Sequence, residues 1–102
     1  MIRRLLRLSI LPLLFAQPAL AISEKEQDCT WQAQIVAAVQ KARLDGVRQE
    51  KVVDTIKASD PAWPDNYDNA IPLFAAQIYQ LKKRDLRSND LGAEWMNTCM
   101  TN

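Results

Sequence analysis

Residues 91–100 read LGAEWMNTCM, and in them Leu91, Trp95 and Cys99 recur every fourth position, on one face of an α-helix. A cysteine on that apolar line needs a neighbour. The other cysteine of the chain, Cys29, opens a second helical stretch, EKEQDCTWQAQIVAAVQKARL (residues 24–44). There Cys29, Ala33, Val36 and Gln40 form one line, with Ile35, Val39 and Ala42 beside it. Two inward-facing cysteines near opposite ends of a small exported chain are expected to pair as a disulfide. Cys29 and Cys99 therefore set the architecture: the first and last helices are clasped together.

Export is read from the first residues. MIRRLLRLSILPLLFAQPALA (residues 1–21) has Arg3, Arg4 and Arg7 at its start, an apolar run from Leu8 to Ala16 and the small-x-small step Ala19-Leu20-Ala21. This pattern predicts a signal peptide, with a periplasmic or secreted protein beginning at Ile22. The run is too short to span a bilayer and Pro12 interrupts it, so no membrane span is expected after signal removal. Three of the 13 basic residues and none of the 12 acidic ones fall in this segment, which leaves residues 22–102 with a net charge of −2. A slightly acidic domain has no electrostatic reason to seek nucleic acid or anionic lipid.

Residues 22–102 allow one domain with one modest core. No strand-type alternation occurs, and only two glycines interrupt the chain. Ser23 and Glu26 form a capping box that starts a helix at Glu24, and Gly46 in RLDGV marks its end after Leu44. A shorter helix is predicted from Gln49 to Ala58 by Val52, Val53 and Ile56, stopped by Asp60-Pro61. A third carries the seam Tyr67, Ile71, Phe74, Ile78 and Leu81. Pro72 is tolerated there if regular helix begins near Asn69. The basic run Lys82, Lys83, Arg84 and Arg87 is expected to close that helix, where cations complement the carbonyl end. A last helix runs from Leu91 to Met100. The fold class is all-α, a small antiparallel bundle of about four helices closed by one disulfide.

The chemistry available to such a chain is limited. It has no histidine, which removes the commonest general base and the usual zinc and haem ligands, and a disulfide would consume both thiols. Asp60, Asp65 and Asp68 cluster as a glycosidase carboxylate pair would, yet beside Pro61 and Pro64 they read as capping and turn residues. An EF-hand is rejected because DNYDN lacks the glycine at loop position six and a glutamate at position twelve. Met96, Cys99 and Met100 would offer soft ligands to Cu(I) only with Cys99 reduced, and methionines at helical spacing read first as core filler. No catalytic, metal or cofactor residue is expected, and the chain is not read as an enzyme.

Binding residues are sought instead among the aromatics. Trp63 and Tyr67 in PAWPDNYDN lie on a proline-bounded loop. Tryptophan and tyrosine dominate binding hot spots, and a loop already restrained loses little entropy on docking. The competing reading makes Trp63 a lid over the core. Trp95 is assigned to the core, and Trp31 is expected to be partly exposed.

Cys29, the ARLDGV turn (residues 42–47), the Ile71-Pro72 step and Cys99 together resemble small exported helical proteins of Gram-negative bacteria that carry one cysteine near each end of the mature chain. The resemblance implies no catalytic or cofactor residue. The expected function is a periplasmic protein-binding or accessory module, a monomer or weak homodimer, contacting an envelope protein partner around Trp63 and Tyr67. The alternative is a small-ligand or metal carrier with a pocket between helices and Met96 and Met100 at its mouth.

Overall fold

The computed structural model describes residues 22–102, and the signal segment read at residues 1–21 lies outside the described residues. Among the described residues the regular structure is all helical. Five α-helices, α1 (Glu24–Leu44), α2 (Val52–Ala58), α3 (Ile71–Ile78), α4 (Lys83–Arg87) and α5 (Leu91–Thr101), are joined by two 3-10 turns at Gln49–Lys51 and Asp65–Ala70.

α1 is the spine of the fold, and its two ends are set locally. Ser23 Oγ accepts the Glu26 N–H at 3.0 Å. At the other end Val47 N–H donates to Ala42 O at 2.9 Å and Gly46 N–H to Arg43 O at 3.2 Å, the paired bonds of a Schellman cap. Gly46 closes that cap at φ +85°, where a side chain would be strained.

The two cysteines are joined. Cys29 and Cys99 form a disulfide with Cα atoms 5.7 Å apart, closing a sequence separation of 70 residues. Farther along α1, Gln40 meets the start of α5, donating to Asn89 O at 2.8 Å and accepting the Leu91 N–H at 3.2 Å. α5 therefore runs against the direction of α1, pinned at one end by sulfur and at the other by an amide.

One core cluster draws on four of the helices and one loop: Ile35, Val36, Val39 and Ala42 from α1, Val52 and Ile56 from α2, Ile71, Ala75 and Ile78 from α3, Leu86 from α4, and Trp63. Leu91 and Trp95 of α5 pack on its edge. Such burial gives roughly 1.5–3 kcal/mol for each large aliphatic side chain, before the entropy cost of ordering the chain.

Three details depart from the sequence reading. The expected third helix is split, since Tyr67 belongs to the 3-10 turn and α3 begins at Ile71, with Pro72 in its first turn and no kink to explain. Its end is also earlier. α3 stops at Ile78 because tertiary contacts take hold there: Tyr79 Oη donates to Val47 O at 2.7 Å and Arg43 donates to Leu81 O at 3.1 Å. Leu81 is consequently off the helix and 40% exposed.

The basic run does not close α3. Lys82 is the N-terminal cap of α4, and Lys83, Arg84 and Arg87 lie within it. This extra helix exists to bury Leu86, which is 1% exposed. Among the described residues five α-helices thus stand where about four were expected.

Candidate functional site

α3 and α5 both pack on α1, and they meet one another through Phe74 and Trp95, whose rings stand edge to face with centroids 5.0 Å apart. On either side of this aromatic ridge is a groove. One, of about 550 Å³, is lined by residues including Asp28, Gln32, Tyr67, Leu73, Phe74 and Trp95. The other, about 300 Å³, continues past Phe74, Gln77 and Trp95 to Leu81, Leu91 and Glu94. The shared residues make them two halves of one furrow.

A chain of hydrogen bonds fixes its floor. Tyr67 Oη donates to Asp28 Oδ1 at 2.6 Å, Gln32 Nε2 donates to Asp28 Oδ2 at 2.8 Å, and Trp95 Nε1 donates to Gln32 Oε1 at 3.0 Å. The spacing explains why this works: Asp28 and Gln32 are one turn apart on α1, so a single helix face presents a carboxylate to Tyr67 of the Asp65–Ala70 turn and an amide to Trp95 of α5. The hydrogen bond to Asp28, helped by desolvation and by the carboxylate's charge, holds the Tyr67 hydroxyl above its ordinary pKa of 10.0. Each aromatic hydroxyl or N–H of the furrow thus has a partner, and the rings are held in one orientation. Leu73 is the exception to this order, 68% exposed at the rim.

Of the residues singled out from sequence, Tyr67 lines the furrow and Trp63 does not. Trp63 is 6% exposed and donates its indole N–H to Asp68 Oδ1 at 2.8 Å. Its side chain is buried with the core, and its hydrogen bond anchors the loop that delivers Tyr67. Trp31 is half-buried against the core, as expected. Trp95, assigned to the core, does pack on it but also lines the furrow.

Asp60, Asp65 and Asp68 border one depression of about 320 Å³ with Lys57 and Asn69, and Asp68 is engaged by Trp63 there. Met96 and Met100 line neither half of the furrow. With Cys99 in a disulfide the soft-ligand trio loses its thiolate.

Gln32, Leu73 and Phe74 were not legible as site residues. The available signals were the i, i+4 spacing of Asp28 and Gln32, and a leucine placed beside the third helix's seam rather than on it. Gln40 likewise emerges only from the fold, donating to Leu86 O at 2.6 Å as well as to Asn89 O.

No protein-family model, curated protein sequence or solved structure matches this chain. No helix among the described residues is long and apolar enough to cross a membrane. The functional reading therefore rests on the furrow itself.

Proposed function

We propose that this chain is a periplasmic accessory module that binds an envelope protein partner along the furrow between α3 and α5 and performs no chemistry of its own. The observation that carries the reading is Leu73, an exposed leucine beside Phe74, Tyr67 and Trp95. Binding surfaces concentrate their energy in such apolar and aromatic clusters, and rigid ones lose least entropy when occupied. Here the rigidity comes from the Tyr67–Asp28–Gln32–Trp95 hydrogen bonds. The periplasmic setting is supported by the signal pattern of residues 1–21 and by a disulfide, which persists in oxidising compartments. Trp63 acts one step removed, holding the Tyr67 loop in place.

The test is photo-crosslinking in the intact cell envelope. p-Benzoyl-phenylalanine in place of Leu73 is expected to give one discrete heavier species, absent when the same group replaces the exposed Lys51 of the first 3-10 turn. The Leu73→Gln substitution in the otherwise native chain should then reduce co-purification of that species at least tenfold. Cross-linking that is equal from both positions, or absent from Leu73, overturns the reading.

A further inference from the structure

The furrow carries charge of one sign only. Asp28 and Glu94 line its two halves, and no lysine or arginine does. The described ion pairs, Lys41–Asp45, Arg48–Glu50 and Arg84–Asp85, lie elsewhere, and among the described residues neither carboxylate has a cationic partner. Asp28 accepts its two hydrogen bonds from neutral donors, a phenol and an amide, which orient the carboxylate without cancelling its charge. Glu94 is exposed at the first turn of α5. Between them stands the Phe74–Trp95 ridge with Leu73 at its rim.

We infer that the occupant is an amphipathic helical segment of a partner protein, with leucine-type side chains along its centre and lysine or arginine on both flanks. This rests on the reading of the furrow as a docking site and adds the chemistry of what docks. The apolar centre covers Leu73, Phe74 and Trp95, a helix-in-groove arrangement. The flanking cations meet Asp28 at one half and Glu94 at the other, and aromatic ring faces add attraction for positive charge. An acidic segment is rejected by the same two carboxylates, so the charge selects among apolar helices that would otherwise fit.

The experiment compares two 14-residue amphipathic peptides, one of leucine and lysine and one with glutamate in place of every lysine, titrated into the isotopically labelled protein. The lysine peptide is expected to shift the Leu73 methyl and Trp95 indole resonances and to bind at least tenfold more tightly than the glutamate peptide. Its affinity should fall about tenfold when salt rises from 50 to 500 mM, since exposed charges are screened over that range. Glu94→Lys, at an exposed position, should weaken the lysine peptide about tenfold and strengthen the glutamate peptide.

Equal affinity for the two peptides, or indifference of the lysine peptide to Glu94→Lys, overturns the charge inference and leaves the docking reading standing. Failure of both peptides to perturb Leu73 and Trp95 overturns the inference too. The docking reading is judged separately by the Leu73 cross-link, and a cross-linked partner whose contacting segment is acidic would likewise end the charge inference alone.

Discussion

Gly92 of α5 lies against Ala33 of α1 so closely that a Cβ built on the glycine would stand 3.0 Å from the Ala33 carbonyl oxygen and 3.3 Å from Ala37 Cβ. The contact sets the distance between the two helices that the disulfide joins. Gly92→Ala would ordinarily favour a helix by up to about 1 kcal/mol, but here the new methyl meets backbone that can yield only if α5 moves outward. A net loss of about 1–3 kcal/mol is expected, as for other overpacked interfaces. Thermal melts of the two forms check it, and an unchanged or raised midpoint would show that α5 is free to shift.

The disulfide adds to the same interface. Replacing Cys29 and Cys99 together by alanine restores to the unfolded chain the freedom of a long loop and is expected to cost about 2–5 kcal/mol. For a domain of this size that lowers the melting midpoint by on the order of 10–30 °C. Reduction of the unaltered protein should produce a fall of the same size. Thiol titration of the unfolded, unreduced protein should find no free thiol, matching the absence of free cysteines among the described residues.

How much of this was legible depends on how locally each feature is encoded. The bounds of α1 were readable because the Ser23–Glu26 box and the Gly46 cap are each contained in a few consecutive residues. The cysteine pairing was readable from the export-signal pattern of residues 1–21 and the helix faces of Cys29 and Cys99 together. α4 was not, because a lone leucine among charges shows no period, and the site that buries Leu86 arises only once the chain has folded back on α1. Trp63 could not be placed from its prolines, since both readings put it on the same loop; its burial and its N–H bond to Asp68 are tertiary features. The furrow belongs to no single segment. It exists because α3 and α5, separated by α4, both pack on α1, which is distant from them in sequence.

Gln40 tests how the short connection between α4 and α5 is held. Its amide nitrogen donates to Leu86 O and Asn89 O, and its oxygen accepts the Leu91 N–H. Gln40→Ala leaves three backbone groups to find water at a half-buried site, an expected loss of about 1–3 kcal/mol. Gln40→Glu should cost more, because a carboxylate faces two carbonyl oxygens with no proton to donate. Hydrogen exchange at the Leu91 amide separates the two effects: its protection should fall in Gln40→Ala, which loses the acceptor, and persist better in Gln40→Glu, whose carboxylate still accepts that N–H, while Val39 follows global stability.

Asp60 holds a φ of +55°, a conformation that L-residues adopt at a cost, at the position after the C-terminal cap of α2. Asp60→Gly removes the Cβ conflict, partly offset by the greater freedom of glycine in the unfolded chain. A net gain of about 0.5–1 kcal/mol is expected. A lowered midpoint would show that the Asp60 side chain makes a contribution of its own in the depression it shares with Asp65 and Asp68.

Tyr67 links the furrow to pH. Its hydroxyl donates to Asp28, and that bond, with desolvation and the nearby negative charge, raises the folded-state pKa above the ordinary 10.0. A raised folded pKa means the neutral phenol is favoured on folding, so its contribution is fully present below about pH 10 and is lost as pH climbs through the raised folded value. Tyr79, raised by burial against the opposing influence of Arg43, behaves the same way and responds to the same alkaline conditions. The comparison that isolates Tyr67 is therefore with Tyr67→Phe, melted at intervals from pH 8 to pH 11.5. The variant should be the less stable of the two at pH 8, where it lacks the hydrogen bond, and the gap should close as pH passes 10. A gap of constant size across that range would mean that the Tyr67–Asp28 bond does not couple this end of the furrow to the protonation of the phenol.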